Sequence, residues 1–333
     1  MDIEFHYYIS FMLAQRAGFN DADAEIMAYS NQYVDDNTRH YYVNYKDGGH
    51  YISEVSQTMD ISKPSQKRQT IYPLFHFIPA FPDEVPEERV MEPYAHSFNT
   101  APNSRNAQKL LRLAMASENP YLMGVATHAY ADTWSHQSFV GLKHPFNRKP
   151  GVSGSIIPNI CHADFLHDPD TVGLQWADPR LRHSRIDNNE RFMEAAECIF
   201  KAYGEHNKMP EDRLDDEWKT LKQLLSAATK RETFEDEPPS PYPTGVEPAQ
   251  GRKNAYLDIC PGIPNYDKKR WWAEAIHELE YEDDIFDRFW AKEDFASSHW
   301  FKFQEAVKQH RGNALNMFAD LYRTLNLPTN WTA

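Results

Sequence analysis

The chain has 333 residues, enough to bury a large core, and its 8 Trp and 18 Tyr mark a packed fold and not a disordered one. A formal net charge of -14 argues against a coat for nucleic acid or an anionic membrane, while leaving a small phosphate substrate open. No apolar run is long enough to span a bilayer, and MDIEFHYYIS lacks the basic and apolar regions of a secretory signal. The expectation is therefore a protein that stays in the cytoplasm or leaves by a route needing no such signal.

Residues 3–17 predict a helix, with Phe5, Ile9, Met12, Leu13 and Ala17 on one side. Gly18 can end it, and Asn20 can cap a second helix that carries Asp21 and Asp23 at its positive end and runs to about Val34. Asp35 and Asp36 then fall at its C-terminal end, where carboxylates are unfavourable unless they face a cation; an exposed turn is the alternative. Residues 37–70 read as irregular, with a short extended segment around His40–Tyr45. YPLFHFIPAF, at 72–81, is an apolar run broken by His76, and a histidine in such a run needs a partner or a metal. A loop over 82–102 precedes a helix from Asn103 or Ser104 to Ala116.

The stretch Tyr121 to Phe139, YLMGVATHAYADTWSHQSF, follows a proline suited to a helix start. Within it His128, Asp132 and His136 stand four residues apart, so each step overshoots a turn by about 40° and the three form one drifting stripe. Two imidazoles and a carboxylate on one face are donors that a borderline cation such as zinc prefers, and small neighbours (Ala126, Ala129, Ala131) let other segments approach. The three cysteines, Cys161, Cys198 and Cys260, are odd in number and widely spaced, which fits a reducing compartment and leaves any metal to His and carboxylates.

Further on, CHADFLHDPD (161–170) packs His162, Asp164, His167, Asp168 and Asp170 into ten residues. Asp187 can cap a helix through Tyr203, and another helix covers roughly 213–230. Residues 232–252 are Pro-rich and acidic and read as a surface excursion or lid. From Lys268 onward, WWAEAIHELE and the spacing of Phe286, Phe289 and Trp290 predict two or three more helices, the last ending near Leu325. Strand signals are few, so the expectation is an all-α single domain over 1–333, a compact multi-helix bundle.

These pieces resemble the zinc-dependent phospholipase C and P1/S1 nuclease superfamily, compact α-helical proteins with up to three zinc ions. GVATHAYADTWSHQSF is similar to the superfamily's central His-Asp-His helix. Its spacing is most similar to the branch holding the amino-terminal domain of glycosylphosphatidylinositol-specific phospholipase D, and to a bacterial line near it. LFHFIP (74–79) resembles a ligand-bearing segment, YVDD (33–36) stands where the family has an Asp, and FHYYISFMLAQRAGF resembles the opening helix. The resemblance covers about 1–170.

It implies one metal held by Asp35, His76, His128 and Asp132, and a second by His136, His162 and a carboxylate. Four residues after His162, where the family has an acid, stands Leu166; Asp170, Asp164 or Asp168 must substitute, and Asp170 is favoured. A third metal would use His6, a shared Asp132 and the amine of Met1. The implied activity is a zinc-dependent phosphodiester hydrolase, phospholipase C-like, acting on a phosphodiester small molecule or phospholipid. Asp35 would orient or deprotonate the attacking water, with Asp36 as second choice. Two alternatives stand beside it: a nuclease or nucleotidase of the same superfamily, for which the sequence offers no strong nucleic-acid signal, and a non-catalytic protein that keeps the metal for stability. Tyr7, Tyr33, Phe77 and Trp134 line the cleft or belong to the core. An HD-type phosphohydrolase using His167-Asp168 is disfavoured by Pro169.

Overall fold

The computed structural model describes residues 1–58, 71–85, 89–90, 96–151, 159–230, 250–279 and 288–327. The chain opens with a π-helical segment, Glu4–Ile9, that runs directly into α1 (Ser10–Arg16). Gly18, at φ +99, ends that helix in the left-handed region. The Asn20 side chain accepts from the backbone N–H of Asp23 and so starts α2 (Asp21–Asp36). A one-turn helix, α3 (Tyr72–Phe75), ends at His76. Ser104 caps α4 (Arg105–Ala116), and Asn119 with Pro120 starts α5 (Pro120–Ser135). Asp187 accepts from the N–H groups of Asn189 and Glu190 to start α6 (Asn188–His206), which is followed by α7 (Glu211–Thr229). The remaining helices are α8 (Gln250–Ile259), α9 (Arg270–Ala275) and the long α10 (His299–Thr324), capped by Ser298.

The helical expectation holds for most of the chain, but the strict all-α expectation does not. A four-stranded sheet forms from β1 (Tyr42–Asn44), β2 (His50–Ile52), β5 (Ile276–Leu279) and β6 (Arg288–Ala291) in the order β2-β1-β6-β5. A separate hairpin pairs β3 (Gln175–Ala177) with β4 (Arg185–Asp187). The expected helix through Phe289 and Trp290 is therefore a strand. Val43 pairs with Phe289 in a parallel register, and Ile276 pairs with Ala291 in an antiparallel one. Aromatic side chains suit a half-buried pleated surface: Phe289 packs edge-on against Tyr41 and Trp272. The first half of WWAEAIHELE stays helical in α9; its second half pairs with β6, which in turn pairs with β1 some 240 positions earlier in the chain. The acidic Pro-rich segment expected over 232–252 lies, up to 249, outside the described residues; its last residues begin α8.

One apolar cluster runs from Met1 to Tyr322. At its centre is α5, in which every residue from Tyr121 to Ser135 is buried. A helix apolar nearly all round must be enclosed, and α2, α4, α6 and α10 enclose it. The most extensive of these interfaces is with α2. It closes tightly because Gly124 has no side chain: a Cβ there would meet the Met27 carbonyl oxygen at 2.3 Å and the Ser30 Cβ at 2.6 Å. Gly124→Ala should cost about 2–3 kcal/mol by overpacking a backbone contact that cannot yield. Urea unfolding measures it, and a variant as stable as the parent would contradict this close crossing.

Candidate metal centre

The α2–α5 crossing sets the floor of the site. On α5, His128 and Asp132 face inward, and His136 follows as the C-cap residue. On α2, Asp35 lies on the buried face of the last turn. The π-helical segment delivers His6, the end of α3 delivers His76, and the short turn Ala163–Phe165 carries His162 at its start and leads into the loop that delivers Asp170. All eight residues singled out as ligands meet in one place.

Asp132 is the hub. Its Oδ2 lies 3.1 Å from His76 Nδ1, 3.2 Å from His128 Nε2 and 3.6 Å from His136 Nδ1, while its Oδ1 lies 3.2 Å from His6 Nε2. Asp35 stands slightly further off, 3.7 Å from both His76 and His128 and 4.0 Å from His6. Asp170 forms a second centre, with Oδ1 2.9 Å from His136 Nε2 and Oδ2 3.1 Å from His162 Nε2. The α-ammonium of Met1 lies between the two centres, paired with Asp132 and 3.2 Å from Asp170.

The hydrogen bonds on the far side of each ring decide what faces inward. His128 Nδ1 donates to the carbonyl of Asn31 at 2.8 Å, and His76 Nε2 to that of Ser56 at 3.0 Å. His136 Nδ1 donates to the carbonyl of His76 at 2.7 Å, and His162 Nδ1 to that of Leu166 at 2.8 Å. A carbonyl oxygen only accepts, so each of these nitrogens carries the proton and, in the neutral ring, its partner presents a lone pair. Yet His128 Nε2 and His76 Nδ1 face each other at 2.9 Å, with a carboxylate oxygen beside them. Acceptors in such proximity require a proton or a cation between them. His6 adds a further sign: it is fully buried, and neither of its ring nitrogens has a hydrogen-bond partner. Imidazoles oriented by backbone carbonyls, with carboxylates filling the remaining directions, are what a metal ion needs. The sets His6–Asp35–His128, His76–His128–Asp132 and His136–His162–Asp170 can each hold one.

Electrostatics follow from burial and from this crowding. Burial opposes the Asp132 charge, but the Met1 ammonium, His136 and His128 outweigh it and hold the carboxyl well below its usual range. The same balance, with the ammonium and His162 leading, lowers Asp170. Asp35 has fewer cationic neighbours, and burial pushes it up to about 7. Burial lowers His6 to about 4 and pulls His128 far down, whereas the carboxylates beside His76 and His162 overcome burial and raise both. Burial likewise opposes the charge of the ammonium, and Asp132, Asp170 and Asp35 together push it to about 11.

A cavity of about 240 Å³ opens on this cluster. Asp35, His76, Asp132, His136, His162 and Asp170 line it, while His6 and His128 lie beneath its floor. Among the described lining residues there is no Lys or Arg. Of the expected cleft aromatics, Phe77 lines the cavity and stacks on His136 with ring centroids 4.1 Å apart; Tyr7, Tyr33 and Trp134 belong to the core.

The expectation for Asp36 does not hold. About 100° further round α2 than Asp35, it accepts from Tyr266 Oη at 2.8 Å and lies 3.7 Å from Lys268 Nζ, away from the cavity lining. Asp164 accepts from the backbone N–H of Lys149, so Asp170 is the carboxylate that joins His136 and His162. Gln57, which the sequence did not suggest, donates from Nε2 to Asp35 at 3.2 Å, and His167, expected outside the ligand set, lines the cavity. Gln57 carried no signal because its segment has no periodicity.

The architecture extends over nearly the whole match of one family model, residues 1–318. The chain belongs to a family of unknown function (DUF6765). No curated protein and no solved structure matches it. Whatever this family does, the buried His and Asp groups of this member can hold metal ions.

Asp132→Ala should abolish metal retention, since it removes the carboxylate that His6, His76 and His128 surround and that holds the Met1 ammonium beside Asp170; elemental analysis showing full occupancy would contradict that role. His136→Ala should lower the metal content by one ion and leave the donors around Asp35 loaded. Loss of all metal in that variant would mean that the centres are not separable.

Proposed function

We propose that this protein is a metal-dependent phosphodiester hydrolase of the phospholipase C type, with the mostly helical architecture of the superfamily its motifs resemble. One observation carries the reading: nitrogens of several imidazoles and oxygens of several carboxylates converge on the floor of an open cavity, without a Lys or Arg among its described lining residues to pair with them. The donor set, imidazole nitrogen with carboxylate oxygen and no thiolate, suits zinc.

Two or three divalent ions held by these donors would acidify a bound water and neutralise phosphate oxygens. The chain's own residues then have separable tasks. Asp35 faces the cavity with its carboxylate held by Gln57, and it orients the attacking water and takes its proton. Oxygen bonds to phosphorus, the opposite P–O ester bond breaks, and the departing alkoxide takes up a proton. The backbone carbonyls of Asn31, Ser56, His76 and Leu166 keep the imidazoles in one tautomer and one orientation throughout.

The apolar part of the lining and the lack of Lys and Arg among its described residues favour a single phosphodiester over a polynucleotide, whose backbone calls for a basic groove. The net charge of -14 agrees. The absence, among the described residues, of any helix long and apolar enough to cross a membrane leaves the substrate's location open. A second reading, a metal kept only for stability, draws on His6 and His128, which are sealed beneath the floor.

Zinc content and hydrolysis of bis(4-nitrophenyl) phosphate, each with and without a chelator, separate the two. The hydrolytic reading expects turnover that disappears on chelation and returns with metal. Asp35→Asn should lower kcat by about 10²- to 10⁴-fold. A zinc-loaded, folded protein that hydrolyses no phosphodiester, and that merely unfolds on chelation, would establish the stabilising role instead.

A further inference from the structure

Leu166 stands at the lip of the metal cavity in a backbone conformation that leucine avoids. Its φ is 53° and its ψ is -122°, a region populated almost wholly by glycine because a Cβ there collides with the adjacent peptide. Its side chain is also 59% exposed, among the most exposed of the large apolar residues, while lining the cavity. A single exposed leucine is ordinary on a protein surface. A leucine that is at once exposed, strained and turned to the mouth of a polar site is not.

The strain itself has a structural reason. This conformation aims the Leu166 carbonyl at His162 Nδ1, 2.8 Å away, and thereby turns His162 Nε2 toward Asp170. Glycine would supply that carbonyl without strain, so the carbonyl does not account for the side chain. The side chain's surroundings do. Tyr72, Phe77, Ile160 and Ala163 line the same cavity as the carboxylates, and Leu166 adds an exposed apolar side chain to that lining. Persistent backbone strain beside a reactive cleft is a reason to look for a ligand contact.

We infer that Leu166 is a specificity-determining residue that packs against an apolar substituent of the substrate, next to the phosphate bound over the carboxylates and imidazoles. This rests on the hydrolytic reading above for the phosphodiester, and adds that one of its two ester arms is a hydrocarbon.

The test uses the full zinc-loaded chain and two probes, 4-nitrophenyl hexyl phosphate and 4-nitrophenyl methyl phosphate. The wild type should favour the hexyl diester in kcat/KM by about tenfold, through KM. Leu166→Gly should erase that preference by raising KM for the hexyl diester relative to the methyl one, and should raise Tm by a few degrees as the strain is released. Leu166→Ala should lose most of the preference without any gain in Tm, because it keeps the Cβ. A preference retained in the glycine variant overturns the inference, as does a marked fall in Tm in both variants, which would make Leu166 a packing residue. If the wild type hydrolyses neither probe, the hydrolytic reading fails separately. Calorimetry with hexylphosphonate and methylphosphonate then decides: tighter hexyl binding that Leu166→Gly abolishes supports the contact, and equal binding overturns it. Dihexanoyl phosphatidylcholine as monomers against phosphatidylcholine vesicles identifies the source of the hydrocarbon. A Leu166-dependent gain confined to monomers places it on a small molecule, and one that grows on vesicles places it on a lipid surface.

Discussion

A carboxylate with 1% of its surface exposed, in the middle of the most enclosed helix of the molecule, constrains everything around it. Removing Asp132 from water costs several kcal/mol unless donors and cations surround it. The ammonium of Met1 and His76, from the end of α3, supply them, while His6 from the π-helical segment and His128 from one turn earlier on α5 crowd the same carboxylate. None of these segments satisfies its own polar group alone. The folds of the π-helical segment and of α3 therefore depend on one another through a single side chain, and the 162–170 loop joins them through His136 and the Met1 ammonium. Gly124 serves the same end, since its missing Cβ lets α2 bring Asp35 to within 3.7 Å of His128.

A second layer holds the delivering segments in place. Glu4, two residues before His6, is buried and bound by Arg252 and by Tyr256 Oη, which fastens the π-helical segment to α8. Asp2 links the chain start to the other centre: its N–H donates to the Asp170 carbonyl at 3.0 Å, and its carboxylate accepts from the N–H of Val172 at 3.0 Å. The two centres are thus tied through the backbone as well as through the ammonium between them. They differ in access, since His6, His128 and Asp132 are at most 1% exposed, while Asp170 and His162 are 16–18% exposed at the cavity. A floor closed to solvent and an outer edge open to it allow one cluster to be both scaffold and site.

Much of this was legible before any coordinates. The 128–132–136 stripe needed only the helical repeat, and His76 stood out because an imidazole interrupts an apolar run. The caps at Asn20, Ser104 and Asp187 were readable because capping is a local interaction between a side chain and an amide two or three residues on. His6, Asp35, His162 and Asp170 were named through a family resemblance, for nothing local in their segments assigns them to one cluster. Helix position alone did not separate Asp35 from Asp36; the resemblance put Asp35 first, and helix rotation carries Asp36 away from the cavity. The strand at 288–291 was hidden because one of its pairing partners, Val43, lies far away in sequence, and the strand at 276–279 forms only as its neighbour.

The amino-acid order by itself therefore determined the helical composition, the donor types and the stripe on α5, all of which depend on spacings of a few residues. Only the tertiary structure decided which carboxylate joins His136 and His162, which ring nitrogens turn inward, and that apolar side chains, Leu166 among them, line the same cavity as the charged groups. Each of those rests on a contact between segments distant in the chain, often with a backbone carbonyl as one partner. Every residue has that carbonyl, so no residue type announces which of them will be used.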